Sequence, residues 1–154
     1  MIKTLVIIAL ASLAAWAGSM TLFSLLARRP GNLGPKDDRL ASCPSSPNCV
    51  CSQDADPGHA IEPLRFDDDP EKAWLRLQQA VSSLPRTRLE TVRDDYLHAE
   101  CTSLLFRFVD DLECLLDRKA RVIHVRSASR AGHSDLGVNR ARVEAVRKAF
   151  ESTR

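Results

Sequence analysis

The sequence carries almost no net charge: 22 Lys and Arg stand against 20 Asp and Glu in 154 residues, a balance of +2. A field that weak excludes nucleic acid or another polyanion as the expected partner. Internal repeats and low-complexity runs are also missing, so the length suits one domain with an appendage. No P-loop, nucleophile elbow or paired-carboxylate motif occurs, and the usual redox spacing Cys-x-x-Cys is absent. Nothing in the sequence calls for a cofactor.

A further absence is local. From Thr4 to Ala27 there is no charged side chain. At about 1.5 Å per residue, such a run is long enough to cross a hydrocarbon core of about 30 Å. Residues 1–29 are therefore expected to form a single-pass membrane segment. Two other readings are open: a cleaved signal peptide ending at Ala15-Trp16-Ala17, and a lipoprotein with Leu40–Cys43 as lipobox. The apolar run continues past the first site, and Asp37, Asp38 and Arg39 separate the second from it. The basic flanks, Lys3 before the run against Arg28, Arg29, Lys36 and Arg39 after it, put the domain in the cytoplasm if taken literally. The cysteines argue for the opposite side, and the expectation is a bacterial inner-membrane protein with its domain in the periplasm.

Residues 30–57 read as an irregular tether rich in Pro, Gly, Asn and Ser. Within it, Cys43, Cys49 and Cys51 are spaced C-x5-C-x-C, which fits neither a paired zinc spacing nor a redox pair. The reading taken is a structural Cys43–Cys49 disulfide in an oxidising compartment, with no metal site. A cytoplasmic domain would favour metal instead.

Residues 58–154 read as an α+β domain. Ala60–Phe66 is an edge strand, because Pro63 forbids a central one. Asp69 caps a helix that starts at Pro70, carries Trp74, Leu77, Val81 and Leu84 on one stripe, and stops at Pro85. Two strands flank the Asp94-Asp95 turn. Alternation then predicts a long half-buried strand over Leu104–Asp117, with Asp110 out of place on its apolar side. A two-residue turn at Arg118-Lys119 would pair it with Val122–Ser129, Cys114 opposite Ile123, Asp111 opposite Arg126, Glu113 opposite His124, and Asp110 opposite Ser127. His98 and His124 fall on the outer, solvent side of that sheet. Asn139–Phe150 is an amphipathic helix, capped by Asp135 or Asn139. The expected fold is an antiparallel sheet of four to five strands covered on one face by two helices, in the order β-α-β4-α.

Arg39–Gln53 (RLASCPSSPNCVCSQ) and Val122–Glu144 (VIHVRSASRAGHSDLGVNRARVE), with Tyr96–Glu100 and Phe106–Asp111 between them, carry a resemblance to the bacterial and plastid family known as domain of unknown function 1499. Members often have an N-terminal membrane segment or targeting peptide, which implies export here too. The family implies no activity. Cys51 stands where it is expected to have Ser, and Cys101 where a bulky apolar residue is usual. The element order also resembles the helix-grip or TATA-binding-protein-like arrangement, some members of which hold apolar ligands between sheet and long helix. That is an analogy of fold, and fold does not settle function.

The candidate site is a polar patch: Asp110, Asp111, Arg126, Ser127, Ser129, Arg130, His133, Ser134, Asp135, Asn139 and Arg140. Its strand-to-helix junction suits an anion, with Arg130 and Arg140 as forked donors. Asp110 needs a partner, because an unpaired buried carboxylate is costly. The same residues could simply orient the last helix. His133 beside Asp135 is the one pairing that suggests acid–base chemistry. Cys101 and Cys114 read as buried thiols. Three functions follow: a membrane-tethered module binding a small or lipid-like ligand between sheet and last helix, an envelope assembly factor docking through the patch, or a hydrolase-like enzyme using His133 and Asp135.

Overall fold

Asp69 starts the first domain helix as its sequence requires: Oδ1 accepts hydrogen bonds from the amides of Glu71 and Lys72, both at 3.1 Å, with Pro70 in the first turn. The protein is described by a computed structural model covering residues 2–153. Its elements are α1 (Ile2–Leu26), β1 (Cys49–Cys51), β2 (Leu64–Arg65), α2 (Pro70–Ser82), β3 (Thr87–Val92), β4 (Tyr96–Thr102), β5 (Val109–Asp117), β6 (Val122–Ser129) and α3 (Val138–Glu151). Helix α1 is long and apolar enough to cross a membrane.

All strands join one antiparallel sheet in the order β1-β6-β5-β4-β3, and β2 also pairs with β6. The sheet thus has six strands rather than four to five. The addition is β1, which comes from the segment expected to be irregular. Cys49–Cys51 pair with Ala128–Arg126, and Leu64-Arg65 pair with Ile123-Val122, so two short strands share the free edge of β6. A covered edge is one less template for aggregation.

Strand side chains alternate between two faces. On the inner face, Leu97, Ala99 and Cys101 of β4, Leu112, Cys114 and Leu116 of β5, and Ile123 and Val125 of β6 form one core with Trp74, Leu77 and Val81 of α2 and Val143, Val146 and Phe150 of α3. Both helices cover this face, as expected. Cys101 and Cys114 are free, buried thiols, and burial pushes both above the ordinary thiol value.

Two expectations about the β5–β6 hairpin are corrected. The pairing places Glu113 opposite Arg126, Cys114 opposite Val125 and Asp110 opposite Ser129, two residues from the expected register. The reason is the turn. Asp117 Oδ1 accepts from the amides of Lys119 (2.9 Å) and Ala120 (2.8 Å), and Arg121 takes a positive φ of 55°, which makes a four-residue loop over Arg118–Arg121 instead of a two-residue one. A shift of two preserves every side chain's face. The strand also begins at Val109, not Leu104. Residues 103–108 form a loop in which Arg107 has a φ of 59°. Its two phenylalanines turn toward α1: Phe106 packs edge-on against Trp16 at 5.4 Å and Phe108 against Phe23 at 6.3 Å.

The outer face is not open to solvent. Residues 29–54 cross it, burying Leu40 and Cys51 against Tyr96 and Leu115 in a second small core, with Cys43 packed on its side. His98 is consequently buried, at 2% exposure, and His124 half-buried, where surface positions were expected.

Candidate functional site: two buried charge networks and a groove

Glu113 is fully buried beneath the covering segment. Its Oε1 accepts from the Tyr96 hydroxyl and from the Gly34 amide, each at 2.8 Å, and its Oε2 from Arg126 at 3.0 Å. Gly34 stands at φ 99°, a conformation that glycine adopts readily and other residues resist, and this turns its amide toward the carboxylate. Burial and the neighbouring Glu113 charge push the Tyr96 hydroxyl far above its ordinary value, so it stays protonated and donates to Glu113. Arg126 Nε is buried and has no hydrogen-bond partner among the described residues.

Beside this group lies a second acid, Asp111. Its oxygens accept from Arg130 at 2.7 and 2.9 Å, the forked geometry that suits guanidinium and carboxylate, and from His98 Nε2 at 2.7 Å. Arg29 donates to His98 Nδ1 at 2.7 Å. A guanidinium can only donate, so Nδ1 accepts and Nε2 carries the proton given to Asp111. Burial works against the charged carboxylate of Asp111, but the hydrogen bonds from Arg130 and His98 outweigh it and hold its pKa below the ordinary value. Glu100, bonded to Arg130 at 2.5 Å, is lowered in the same manner, burial opposing and Arg130 prevailing. These residues tie β4, β5 and β6 to the segment that follows α1.

A separate network lies on the inner face, at the start of α3. Asp110 pairs with Arg142 at 2.5 Å. Arg142 also donates to Ser127 Oγ at 2.9 Å and Asn139 Oδ1 at 2.6 Å, and Ser127 donates to the same Asn139 oxygen at 2.6 Å. Asn139 Nδ2 donates to Ser129 Oγ and to the Asn48 carbonyl, both at 2.9 Å. Asn48 lies within the loop closed by the Cys43–Cys49 disulfide, next to Cys49; the two cysteine Cα atoms are 5.6 Å apart. Asp135 caps α3 from outside, taking the amides of Gly137 at 3.0 Å and Asn139 at 2.7 Å.

The candidate patch is thus divided by the sheet. Asp111, Arg126 and Arg130 belong to the outer network; Asp110, Ser127, Ser129 and Asn139 belong to the inner one. Arg140 is exposed and donates to the carbonyls of Ala60 (2.9 Å) and Gly58 (3.2 Å). His133 is exposed, and among the described residues no hydrogen bond joins it to Asp135, whose oxygens serve the helix amides. Sequence reasoning missed Glu113, Tyr96, His98, Glu100, Arg29 and Arg142 as members. For Arg142 a signal existed: it lies three residues after Asn139 and four before Val146, on the inward stripe of α3.

Beside the Asp110–Arg142 pair runs a groove of about 410 Å³ between α3 and the ends of β3 and β4. Leu84, Pro85, Leu104, Val138, Ala141 and Ala145 make its walls apolar, Cys101 lies among them, and Asp110, Arg142 and Arg86 supply the polar part. A smaller hollow of about 250 Å³ continues past Asp110 toward Gly132 and Leu136. Among the described residues no group of three or more His, Cys, Asp or Glu is placed to hold a metal ion.

A six-stranded antiparallel sheet with two helices on one face, its own N-terminal segment on the other and one long apolar helix ahead of it defines an α+β domain behind a candidate membrane span or signal. The chain belongs to the family described as protein of unknown function (DUF1499), which matches residues 39–150. Neither a curated protein nor a solved structure matches it. The family match takes in the disulfide loop, the sheet and α3, while Arg29 and Gly34 lie ahead of it.

Proposed function

We propose that this is a membrane-anchored domain, held on the exported side by α1, that binds a lipid-like amphiphile in the groove beside α3. The observation that carries the reading is the composition of the groove: a mainly apolar trough with one buried ion pair, Asp110–Arg142, at its wall. Ligand sites are typically of this kind, apolar surface with a few placed polar groups. The groove opens at the end of the domain, because the space between the sheet and the rest of α3 is filled by Val143, Val146 and Phe150. The Cys43–Cys49 disulfide supports export, since such bonds persist in oxidising compartments.

Native mass spectrometry of the full chain released from membranes by mild detergent tests the ligand. Wild type is expected to keep one lipid-mass adduct per chain, and Ala141→Trp, which fills the groove from α3, is expected to lose it while melting at an unchanged temperature. A wild type without adduct, or equal adducts on both, rejects the reading. A reporter fused after Arg154 tests the side of the membrane, with activity expected only outside the cytoplasm.

A further inference from the structure

The loop between β4 and β5 presents adjacent large apolar side chains outside the core of the domain. Leu104 and Leu105 are 70% and 78% exposed, next to each other, and Phe106 and Phe108 follow. These two rings do not enter the core of the domain. They pack on α1, at Trp16 and Phe23 respectively, and against each other at 6.2 Å.

The position of those contacts along α1 gives a depth. A hydrocarbon core of about 30 Å takes about 20 residues of helix. Counted from Lys3 at the far interface, about twenty residues end near Phe23, which leaves the uncharged residues from Ser24 to Ala27 in the headgroup zone before Arg28. Phe108 then sits at the boundary. Trp16, seven residues earlier, lies about 10 Å further in along the axis, and Phe106 lies with it. Peripheral elements that rest in a membrane bury their apolar side about 5–10 Å below the headgroups. Arg107, exposed between the two phenylalanines, has a stem long enough to return its charge to the interface.

We infer that residues 103–108 are a second membrane-contacting element, inserted among the acyl chains of the same leaflet from which α1 emerges. The inference rests on reading α1 as membrane-embedded, and it goes beyond anchoring. A single helix would leave the domain free to rotate about its exit point, whereas helix plus loop fix its orientation. Because Ser103 and Leu104 also line the groove, insertion brings the groove's opening to the bilayer surface, where an amphiphile could enter without crossing water.

The test uses the full chain with Leu105→Cys labelled by nitrobenzoxadiazole and reconstituted into phosphatidylcholine–phosphatidylglycerol vesicles. Leu104→Cys serves as a second position, and Leu75→Cys, on an exposed site of α2 at 59% exposure, as the reference. The native free thiols are buried and stay unlabelled in the folded chain. The loop probes are expected to emit to the blue of the reference and to be quenched at least twofold more by nitroxide on the acyl chains than by aqueous iodide, with the reverse at Leu75. Loop probes quenched mainly by iodide overturn the insertion, whether or not the chain floats with the vesicles. Flotation itself reports the α1 reading, and the lipid adduct reports the groove, so the three can fail separately.

Discussion

The side-chain amide of Asn139, at the start of α3, donates to the backbone carbonyl of Asn48, 91 residues earlier, at 2.9 Å. Asn48 in turn takes the Ser129 amide on the same carbonyl at 3.0 Å, and its own side chain donates to Gly132 at 2.6 Å. The disulfide loop is thereby a brace for the β6–α3 junction, and through Asn139 it reaches Arg142 and Asp110 at the wall of the groove.

Removing the brace should be felt at that junction. The double substitution Cys43→Ser, Cys49→Ser is expected to lower stability by about 2–3 kcal/mol, the value for closing a short loop. Amides of Ser129 and Asn139 should exchange faster with deuterium than those of Leu112 and Val125. Uniform acceleration across the sheet would mean that the loop supports the whole fold rather than this corner.

Glu113 should be the most sensitive acid in the chain. Glu113→Ala strands Arg126 and removes the acceptor of Tyr96 and Gly34, and breaking a buried pair from one side costs about 3–5 kcal/mol. Glu144→Ala, which removes an exposed partner of Arg147 one turn away, should cost less than about 1 kcal/mol. Urea denaturation of the two variants compares them directly, and similar midpoints would deny the outer network its structural role.

Acid should unfold the domain in two stages. Asp111 and Glu100 have folded-state pKa values below their ordinary ones, so their contribution is complete above about pH 4 and is lost as pH falls through the folded values. His124 is lowered by burial. Its unfolded form binds the proton more readily, so a smaller decline begins as pH falls below about 6.5. The urea midpoint should therefore sag gently from pH 7 to 5 and drop steeply below about 4. His124→Asn should abolish the first part, and Arg130→Met should shrink the second. A midpoint constant down to pH 3 would contradict both.

Asp110 and Arg142 should behave as one unit. Each single change, Asp110→Ala or Arg142→Ala, leaves a mostly buried charge behind, so the double variant should be less damaged than the sum, by at least about 1 kcal/mol. Additive losses in thermal unfolding would mean that the two side chains are energetically independent.

The elements themselves were legible because local chemistry dictates them: the Asp69-Pro70 start of α2, the Asp94-Asp95 turn, the inward stripe of α3. The hairpin register was not, because it hangs on the Asp117 side chain, which adds two residues to a turn that could close with fewer. Leu104–Phe108 alternates like a strand, yet Phe106 and Phe108 answer to Trp16 and Phe23 of α1, a helix far away in sequence that periodicity cannot see. Most of all, the outer face of the sheet looked solvated because it is charged. Glu113, Asp111 and His98 are buried by residues 29–54, whose polar, Gly- and Pro-rich composition resembles that of a slack connector.

That cover has a consequence for reach. Arg29 is already hydrogen-bonded to His98, and Gly34 to Glu113, so only about two residues, Arg28 and Ala27, whose amide still bonds the Ser24 carbonyl, separate helix from sheet, a span of at most about 11 Å even when fully stretched. With α1 in a bilayer, as proposed above, whatever this domain meets would have to come to within arm's length of the lipid headgroups, for there is no leash on which to search.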